Sequence, residues 1–293
     1  MSQKNIDKAW ISDMIKDFMR DSPLNSIQNS TGEKAWEVPL VGFSSGGDPL
    51  YDEFKNHIGD FYLKPLELFT LTFPETKAAA EELTVISWIL PHTSQTKQDN
   101  QKETRFPSER WVRSRMFGEK ANAGLREHLV SSLHAAGFKV LSPDNSPFKK
   151  GGISKLYGRA ASWSERHAAY TAGLGTFGLC DGLITPVGKA IRIGSVIAQI
   201  KIPPTERPYQ NHHAYCLYFA QGICLKCVKR CPVGAISAET GHDKVKCDNY
   251  LNKVTVDYIK LHFDFDSHAC GLCQTGVPCE SNIPEEVICI KKS

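Results

Sequence analysis

The chain has 293 residues, of which 41% are hydrophobic, and its formal net charge is +3. This is enough apolar material for one large domain or two ordinary ones without stabilising disulfides. The nearly balanced charge gives no reason to expect nucleic acid or an anionic membrane as a partner. The N-terminus is too charged for a secretory signal, and the longest apolar run, Leu83 to Leu90, is too short to span a membrane. We therefore expect a soluble, cytoplasmic protein.

Helix and strand patterns alternate in the first half of the chain. Apolar residues recur at helical spacing from Ile6 to Phe18. The run from Leu83 to Leu90 predicts a buried strand that ends at Pro91, and the polar residues 92–107 are expected to form a loop. A helix is predicted from Glu109 to Ala136, followed by a short strand over 138–141. This order is typical of an α/β domain.

Residues 164–204 complete the first predicted domain and end in a linker. A helix is predicted from Ser164 to Ala172, and strands are predicted near 183–185 and 191–200. The pair Pro203 and Pro204 then marks a linker. We therefore predict two domains, which cover residues 1–205 and 206–293.

The cysteines are concentrated in the second predicted domain. None of the ten cysteines precedes Cys180, and eight lie between Cys216 and Cys279. A disulfide framework is expected in small secreted chains, and this chain is neither small nor preceded by a secretory signal. The dense cysteines therefore indicate bound metal.

The spacing of these cysteines predicts two iron–sulfur clusters. The first half of the motif reads Cys216-x7-Cys224-x2-Cys227-x3-Cys231-Pro232. Bacterial two-cluster ferredoxins use Cys-x2-Cys-x2-Cys-x3-Cys-Pro, in which the fourth cysteine binds the other cluster. The same crossed pattern predicts a first cysteine set of Cys216, Cys224, Cys227 and Cys279, and a second cysteine set of Cys231, Cys247, Cys270 and Cys273. Each set would hold one 4Fe–4S cluster.

Two points about the cysteines stay open at this stage. Structural zinc also uses paired Cys-x2-Cys motifs, so two zinc sites are the alternative, which a colourless protein would support. Cys180 and Cys289 belong to neither set, and we expect them to be a buried thiol or a tail thiol.

Several segments resemble a known family. The run Trp163-Ser-Glu-Arg-His-Ala-Ala-Tyr-Thr-Ala-Gly-Leu-Gly-Thr-Phe-Gly178, with Gly182-Leu-Ile-Thr-Pro-Val-Gly188 and Arg192-Ile-Gly-Ser-Val196 after it, resembles epoxyqueuosine reductases and the catalytic part of reductive dehalogenases. The element Lys246-Cys247-Asp-Asn-Tyr-Leu251 is similar to the third cysteine element of that family. The resemblance covers roughly residues 80–283.

The resemblance implies a fold, an activity and cofactors. Residues 1–205 would bind base-off cobalamin and substrate, and residues 206–293 would form a ferredoxin-like two-cluster domain. Electrons would pass through both clusters to cobalt, and the protein would act reductively on a small or nucleoside-like substrate. The alternative is an electron-transfer protein that reduces a partner's corrinoid and has no substrate chemistry of its own. A ferredoxin or flavodoxin is the expected electron donor, and Lys226, Lys229 and Arg230 form either its docking patch or a solvated surface.

Two departures from the family bear on the substrate. The family has an aspartate, considered a proton donor, about six residues before its Glu-Arg pair, and this chain has Arg159 there. The chain also ends about fourteen residues after Cys279, without the helical-repeat extension of the members that act on tRNA. We therefore expect little activity on epoxyqueuosine in tRNA and no nucleic-acid partner.

The candidate catalytic residues lie before and within the predicted helix at residue 164. His167 is our candidate proton donor because histidine titrates near neutrality, and Tyr157 is the second. Glu165 is predicted to form part of the polar wall of the substrate pocket, and Arg159 is predicted to be a second-choice donor or an anion clamp. A charged trio at a helix start can also be simple N-terminal capping, which is the alternative for Glu165 and its two neighbours.

A glycine motif follows this helix. Gly173-x-Gly175-x-x-Gly178 matches the dinucleotide fingerprint, but a helix precedes it and no acid follows about 20 residues later. We expect Gly173, Gly175, Thr176 and Gly178 to bind cofactor by letting the backbone approach a flat ring system. Tight turns without a ligand are the alternative.

Overall fold

The computed structural model describes the backbone of residues 6–290 and the side chains as far as Val287. The thiol of Cys289 lies outside these described residues. The helices are α1 Lys8–Asp21, α2 Leu50–Ile58, α3 Pro65–Thr72, α4 Ser94–Lys102, α5 Glu109–Ala135, α6 Glu165–Thr171, α7 Leu217–Gln221, α8 Lys226–Arg230, α9 Lys244–Asn249, α10 Thr255–Phe263 and α11 Glu285–Ile290. The strands are β1 Leu40–Ser45, β2 Thr84–Pro91, β3 Val140–Leu141, β4 Gly151–Ser154, β5 Gly158–Ala161, β6 Thr176–Phe177, β7 Leu183–Ile184, β8 Ile191–Ala198, β9 Ile236–Ser237 and β10 Gly241–His242.

The central sheet is antiparallel, with the strand order β1-β2-β8-β3. Strand β2 is buried along its whole length, because helices cover both faces of the sheet. On one face Val85 and Ile89 join a core with α2, α3 and α6, and on the other face Ile86 and Leu90 join a core with α1 and α5. The prediction of a mixed helix–strand fold is confirmed.

The predicted loop over 92–107 is wrong, because residues Ser94–Lys102 form α4. The side chain of Thr93 caps this helix by accepting a hydrogen bond from the amide of Thr96. Helix α4 is polar nearly all round, so it lacks the apolar periodicity that identifies a surface helix. Its buried residue Asn100 donates hydrogen bonds to the carbonyl of Cys270 at 3.3 Å and to the hydroxyl of Thr275 at 3.1 Å. Packing against the cysteine-rich segment thus stabilises a helix that propensity alone does not predict.

The cysteine-rich segment consists of short helices and turns. Its residues Cys216, Cys227 and Val277 belong to the same buried cluster as Tyr51 and Trp163 of the preceding half. The amide of Lys189, just before β8, donates to the carbonyl of Cys279 at 2.9 Å. The boundary at residues 205 and 206 stays a prediction. In the part of the chain that the structure describes, none of the helices combines the length and the apolar character needed to cross a bilayer.

Candidate functional site

The first cysteine set lines one small cavity. Cys216 is the N-cap of α7, Cys227 lies in α8, and Cys279 lies in the turn before α11. The remaining walls of this first cavity are largely apolar, and they include Leu179, Ile184, Leu217, Val277, Pro278 and Pro284, together with Lys189. Four thiols thus surround an enclosed, mostly apolar space.

The second cysteine set lines a separate, larger cavity of about 310 Å³. Its walls also carry the aromatic rings of Trp36 and Trp111 and three guanidinium groups, those of Arg115, Arg166 and Arg192. Burial, followed by repulsion from Arg192, lowers the pKa of Arg115 below its usual value. This second cavity is therefore positively charged as well as rich in thiols.

Each predicted set of four cysteines therefore faces a cavity of its own. No cysteine of one set lines the other set's cavity, although the sets interleave along the chain. Among residues 6–287, no three His, Cys, Asp or Glu side chains converge tightly enough to hold a single metal ion. The thiols of each set instead surround a cavity, which holds about 20 Å³ at the first set and about 310 Å³ at the second.

Cys180 lies between the two sets. Its buried thiol interacts with Cys227 of the first set and Cys273 of the second set, and it accepts a hydrogen bond of 3.2 Å from Nζ of Lys189. The expectation that it is buried holds, but it is not remote from the thiols that are predicted to bind metal. Sequence spacing gave no sign of this position, because a β-turn and two strands separate Cys180 from the cysteine motifs.

Arg230 is not part of a docking patch, which corrects the prediction that grouped it with Lys226 and Lys229. Its guanidinium donates to five backbone carbonyls, those of Asn100, Gln101, Glu103, Leu272 and Thr275. These bonds join α8, which carries Cys227, to the end of α4 and to the loop after Cys270. Lys226 and Lys229 are exposed, as a docking patch requires.

The predicted catalytic residues come together around a third cavity of about 630 Å³. Tyr157, Arg159, Glu165, His167 and Gly178 all line it. Arg166 lines both the second and the third cavity, so the two adjoin at this side chain.

His167 is partly buried in this wall and is a poor proton donor at neutral pH. Its ring packs against Phe54 and Phe177 at centroid distances of 4.6 and 4.9 Å, and its Nδ1 lies 2.7 Å from the hydroxyl of Ser164. Burial, followed by repulsion from Arg166, lowers the pKa of His167 to about 3. The ring is therefore neutral at pH 7, which opposes its predicted role as proton donor.

Glu165 has the opposite character. Ser164 caps α6, so Glu165 is the first residue of the helix. Both carboxyl oxygens of Glu165 are buried, and neither has a hydrogen-bond partner. Burial raises the pKa of Glu165 to about 7, although the hydroxyl of Ser195 nearby partly opposes the shift. Glu165 also faces an adjoining cavity of about 380 Å³ that Arg126 and Arg192 line. A carboxyl group that holds its proton near neutrality is suited to general acid catalysis.

Tyr157 and Arg159 lie on the exposed hairpin formed by β4 and β5. The ring of Tyr157 is 48% exposed, and Nζ of Lys244 lies over it at 5.3 Å. Arg159 forms an ion pair of 2.9 Å with Asp248. Both side chains border the third cavity from its rim rather than from its floor.

The glycine motif has a packing explanation at three of its positions. A Cβ atom on Gly173 would lie 2.6 Å from the carbonyl oxygen of Glu206, and one on Gly175 would lie 2.3 Å from that of Ile184. The hydroxyl of buried Thr176 accepts a hydrogen bond from the amide of Tyr215. Gly178 lines the first and third cavities, so it is the member of the motif that lies nearest to both groups of candidate residues.

No protein-family model matches this chain, and no curated protein matches it in sequence. Several solved structures resemble it in fold. Epoxyqueuosine reductase with an epoxyqueuosine-modified tRNA-Tyr stem loop is 17% identical, with a TM-score of 0.48 over 92% of this chain and 66% of that chain. The enzyme from Bacillus subtilis is 16% identical, with a TM-score of 0.46 over 94% of this chain and 68% of that chain. A variant of a catabolic reductive dehalogenase is 12% identical, with a TM-score of 0.51 over 97% of this chain and 38% of that chain.

These structural neighbours are the families suspected from the sequence, and at such identities the similarity concerns the fold alone. The chain spans 61% of the length of another epoxyqueuosine reductase that it matches. One neighbour was solved with a tRNA stem loop, and the expectation that nucleic acid is an unlikely partner of this chain stays a prediction. The fold of this chain is thus one that a reductive dehalogenase also has.

Proposed function

We propose that this chain is a cobalamin-dependent iron–sulfur reductase that acts on a small or nucleoside-like substrate. The observation that carries the proposal is the separation of the eight cysteines into two four-thiol cavities. In the proposal the first cysteine set holds one 4Fe–4S cluster, the second holds another, and the two form a ferredoxin-like module that follows an α/β cofactor domain.

The donor set suits two clusters. Four thiols around one enclosed cavity are the ligands of a cubane, and the interleaving of the sets along the chain is that of two-cluster ferredoxins. Cys270 and Cys279 are half-buried, and this burial raises the pKa values of their thiols to about 12 and about 11. Thiols in such surroundings become thiolates when a metal replaces the proton.

The third cavity suits a further group. Glu165 lines it, and both carboxyl oxygens of Glu165 are buried just beneath its surface without a hydrogen-bond partner. Gly178 and the rings of His167 and Phe177 would line the space beside bound cobalamin. Bound cobalamin would supply a cobalt centre that takes up electrons singly and reduces the substrate.

The chain's own groups then have defined tasks. Glu165 would hold a proton on its carboxyl oxygen beside the third cavity and donate it to the departing group of the substrate. Arg166, at the border of the second and third cavities, would attract an anionic substrate or leaving group. The packed rings of Phe54, Phe177 and His167 would keep water from this wall.

An electron-transfer protein that reduces a partner's corrinoid is the second candidate. The exposed Lys226 and Lys229 beside the first cavity favour contact with an acidic redox protein, such as a ferredoxin or flavodoxin. This candidate leaves the buried, unpartnered carboxyl of Glu165 without a task.

Anaerobic reconstitution tests the proposal. The protein is loaded with iron and sulfide, with and without cobalamin, and its iron content and visible spectrum are measured. We expect about eight irons per chain, as two cubanes require, and stoichiometric cobalamin that stays bound through gel filtration. The loaded protein is then assayed with an epoxyqueuosine-modified tRNA stem loop and with 3-bromo-4-hydroxybenzoic acid. A colourless protein that binds two zinc ions would overturn the proposal, and eight irons without cobalamin would favour the electron-transfer protein.

A further inference from the structure

A buried lysine lies between the two cysteine sets. The side chain of Lys189 is 3% exposed and lines the first cavity. Its ammonium group donates to the sulfur of Cys180 at 3.2 Å, and Cys180 in turn lines the second cavity. Lys189 thus contacts the one thiol that touches both sets.

The backbone holds this ammonium group in place. The amide of Lys189 donates to the carbonyls of Cys279 at 2.9 Å and Glu280 at 3.2 Å. Gly188 before it has φ of +82°, and a Cβ atom there would lie 2.0 Å from the carbonyl oxygen of Glu280. Only glycine therefore allows this turn to press against the Cys279 segment, and that contact aims Lys189 at the sulfurs.

The charge of Lys189 has no acidic partner. In the described part of the chain its ammonium group interacts with the sulfurs of Cys180, Cys279, Cys227 and Cys273 and forms no ion pair with a carboxylate. An isolated ammonium in the interior is costly, so its counter-charge has to come from the sulfur of Cys180 and from the sulfur-ligated groups around it.

We propose that Lys189 is the buried counter-charge of the first cluster and sets its reduction potential. A cubane with four thiolate ligands is an anion, and reduction adds one more negative charge. A fixed cation that lines the same cavity stabilises the reduced form more than the oxidised form, and net charge and hydrogen bonds to sulfur are known to set such potentials. Lys189 is a positioning residue: it stabilises charge and transfers neither proton nor substrate. The inference rests on the proposed clusters.

The test is a redox titration that is monitored by EPR. It is carried out on the reconstituted parent protein and on the variants Lys189→Met and Lys229→Met. Methionine keeps the length of the lysine chain and removes its charge. Lys229 lies on α8 two residues after Cys227 and is exposed, so Lys229→Met removes the same charge where solvent screens it. The signal of the first cluster is identified by its loss in Cys227→Ser.

We expect Lys189→Met to make reduction of the first cluster at least tenfold less favourable, which for one electron is a shift of 59 mV to more negative potential. Lys229→Met should shift it much less. Equal potentials in the parent and Lys189→Met, with about eight irons in each, would overturn this inference and leave the proposed function intact. Failure of the parent itself to hold iron would instead overturn the proposed function.

Lys189→Arg covers the case in which Lys189→Met does not retain the first cluster. If arginine retains the cluster at a potential near that of the parent, the requirement is for positive charge and the inference holds. If both variants lose the same half of the iron, the site requires the shape of lysine, and the inference is wrong.

Discussion

The two cysteine cavities offer the same ligands in different surroundings. The first cavity is small, its walls are largely apolar, and its cation is the buried Lys189. The second cavity holds about 310 Å³ and carries three guanidinium groups, those of Arg115, Arg166 and Arg192. The first adjoins exposed Ile223 and Lys226 at the surface, whereas the second adjoins the cavity of Glu165.

This difference suggests a direction for electron flow. Reduction potential depends on net charge, hydrogen bonding and solvent exposure, so identical ligands can give unequal clusters. An exposed apolar and basic rim suits the entry of electrons from an acidic donor, and a cavity that borders Glu165 suits their exit to substrate chemistry. We expect the first cluster to accept electrons and the second to pass them on.

The largest effects should come from the cysteines themselves. Cys227→Ser and Cys273→Ser should each remove about half of about eight irons, since each breaks one cubane. Cys180→Ser is the matched control, because it changes the thiol between the sets and should leave the iron content unchanged. Iron and sulfide analysis checks all three. Loss of iron in Cys180→Ser would show that the division into two sets is incorrect.

Glu165 should have the next largest effect. Replacement by Gln removes the proposed acid, so turnover should fall about 10²–10⁴-fold with cobalamin and iron retained. In the parent, turnover should fall as the pH rises above about 7, because the carboxyl with its raised pKa then loses its proton.

His167→Asn is the matched control for Glu165. A ring that is already neutral at pH 7 should matter only through packing, so we expect a few-fold effect and an unchanged pH profile. If His167→Asn abolished the fall above pH 7 and Glu165→Gln did not, the proton would come from His167 after all.

The buried carboxyl also predicts the sign of a stability change. The pKa of Glu165 rises from 4.5 to about 7 on folding, so this group stabilises the fold fully below pH 4.5 and loses that contribution as the pH rises through 7. The loss is about 3 kcal/mol, at 1.36 kcal/mol per pKa unit. Urea unfolding at pH 8 should therefore find Glu165→Gln more stable than the parent. Equal stabilities at pH 8 would mean that the carboxyl is hydrated.

Arg230 links α8 to α4 and to the loop after Cys270, and its loss should destabilise the fold by about as much. Arg230→Ala leaves five carbonyls without their donor, and hydrogen bonds to charged groups are worth roughly 1.5–3 kcal/mol each, without being additive. We expect a loss of at least about 2 kcal/mol in the free energy of unfolding. The adjacent, exposed Lys229→Ala should change it by less than about 0.5 kcal/mol. Urea denaturation of the apoprotein measures both.

The smallest effect should come from the rim of the first cavity. Reversing the charges in Lys226→Glu with Lys229→Glu should slow reduction by an acidic donor a few-fold and weaken its dependence on salt. Stopped-flow reduction by a flavodoxin at two ionic strengths checks this. The same double change should not affect reduction by dithionite, and an equal slowing with dithionite would mean that the cluster itself was damaged.

The cysteines of this site could be predicted from the sequence better than the side chains that surround them. The crossed cysteine sets followed from local spacing, and α5 and β2 followed from periodicity. The tasks of Lys189 and Arg230 depend on contacts between segments far apart in the chain, which spacing does not encode. Helix α4 escaped prediction because tertiary packing at Asn100 stabilises it. Glu165 was predicted to line the pocket and not to be its proton donor, because intrinsic pKa values favour histidine until burial reverses the order.

The bonds from Arg230 and Asn100 have a consequence for how the protein matures. Both side chains fix the loop that carries Cys270 and Cys273 through contacts that involve no metal. We therefore expect the loop to take its shape without iron, so that cluster insertion would not have to order it. The proteins that insert clusters would then find the second site already formed. Hydrogen exchange at the backbone amides of this loop should be slow in the apoprotein.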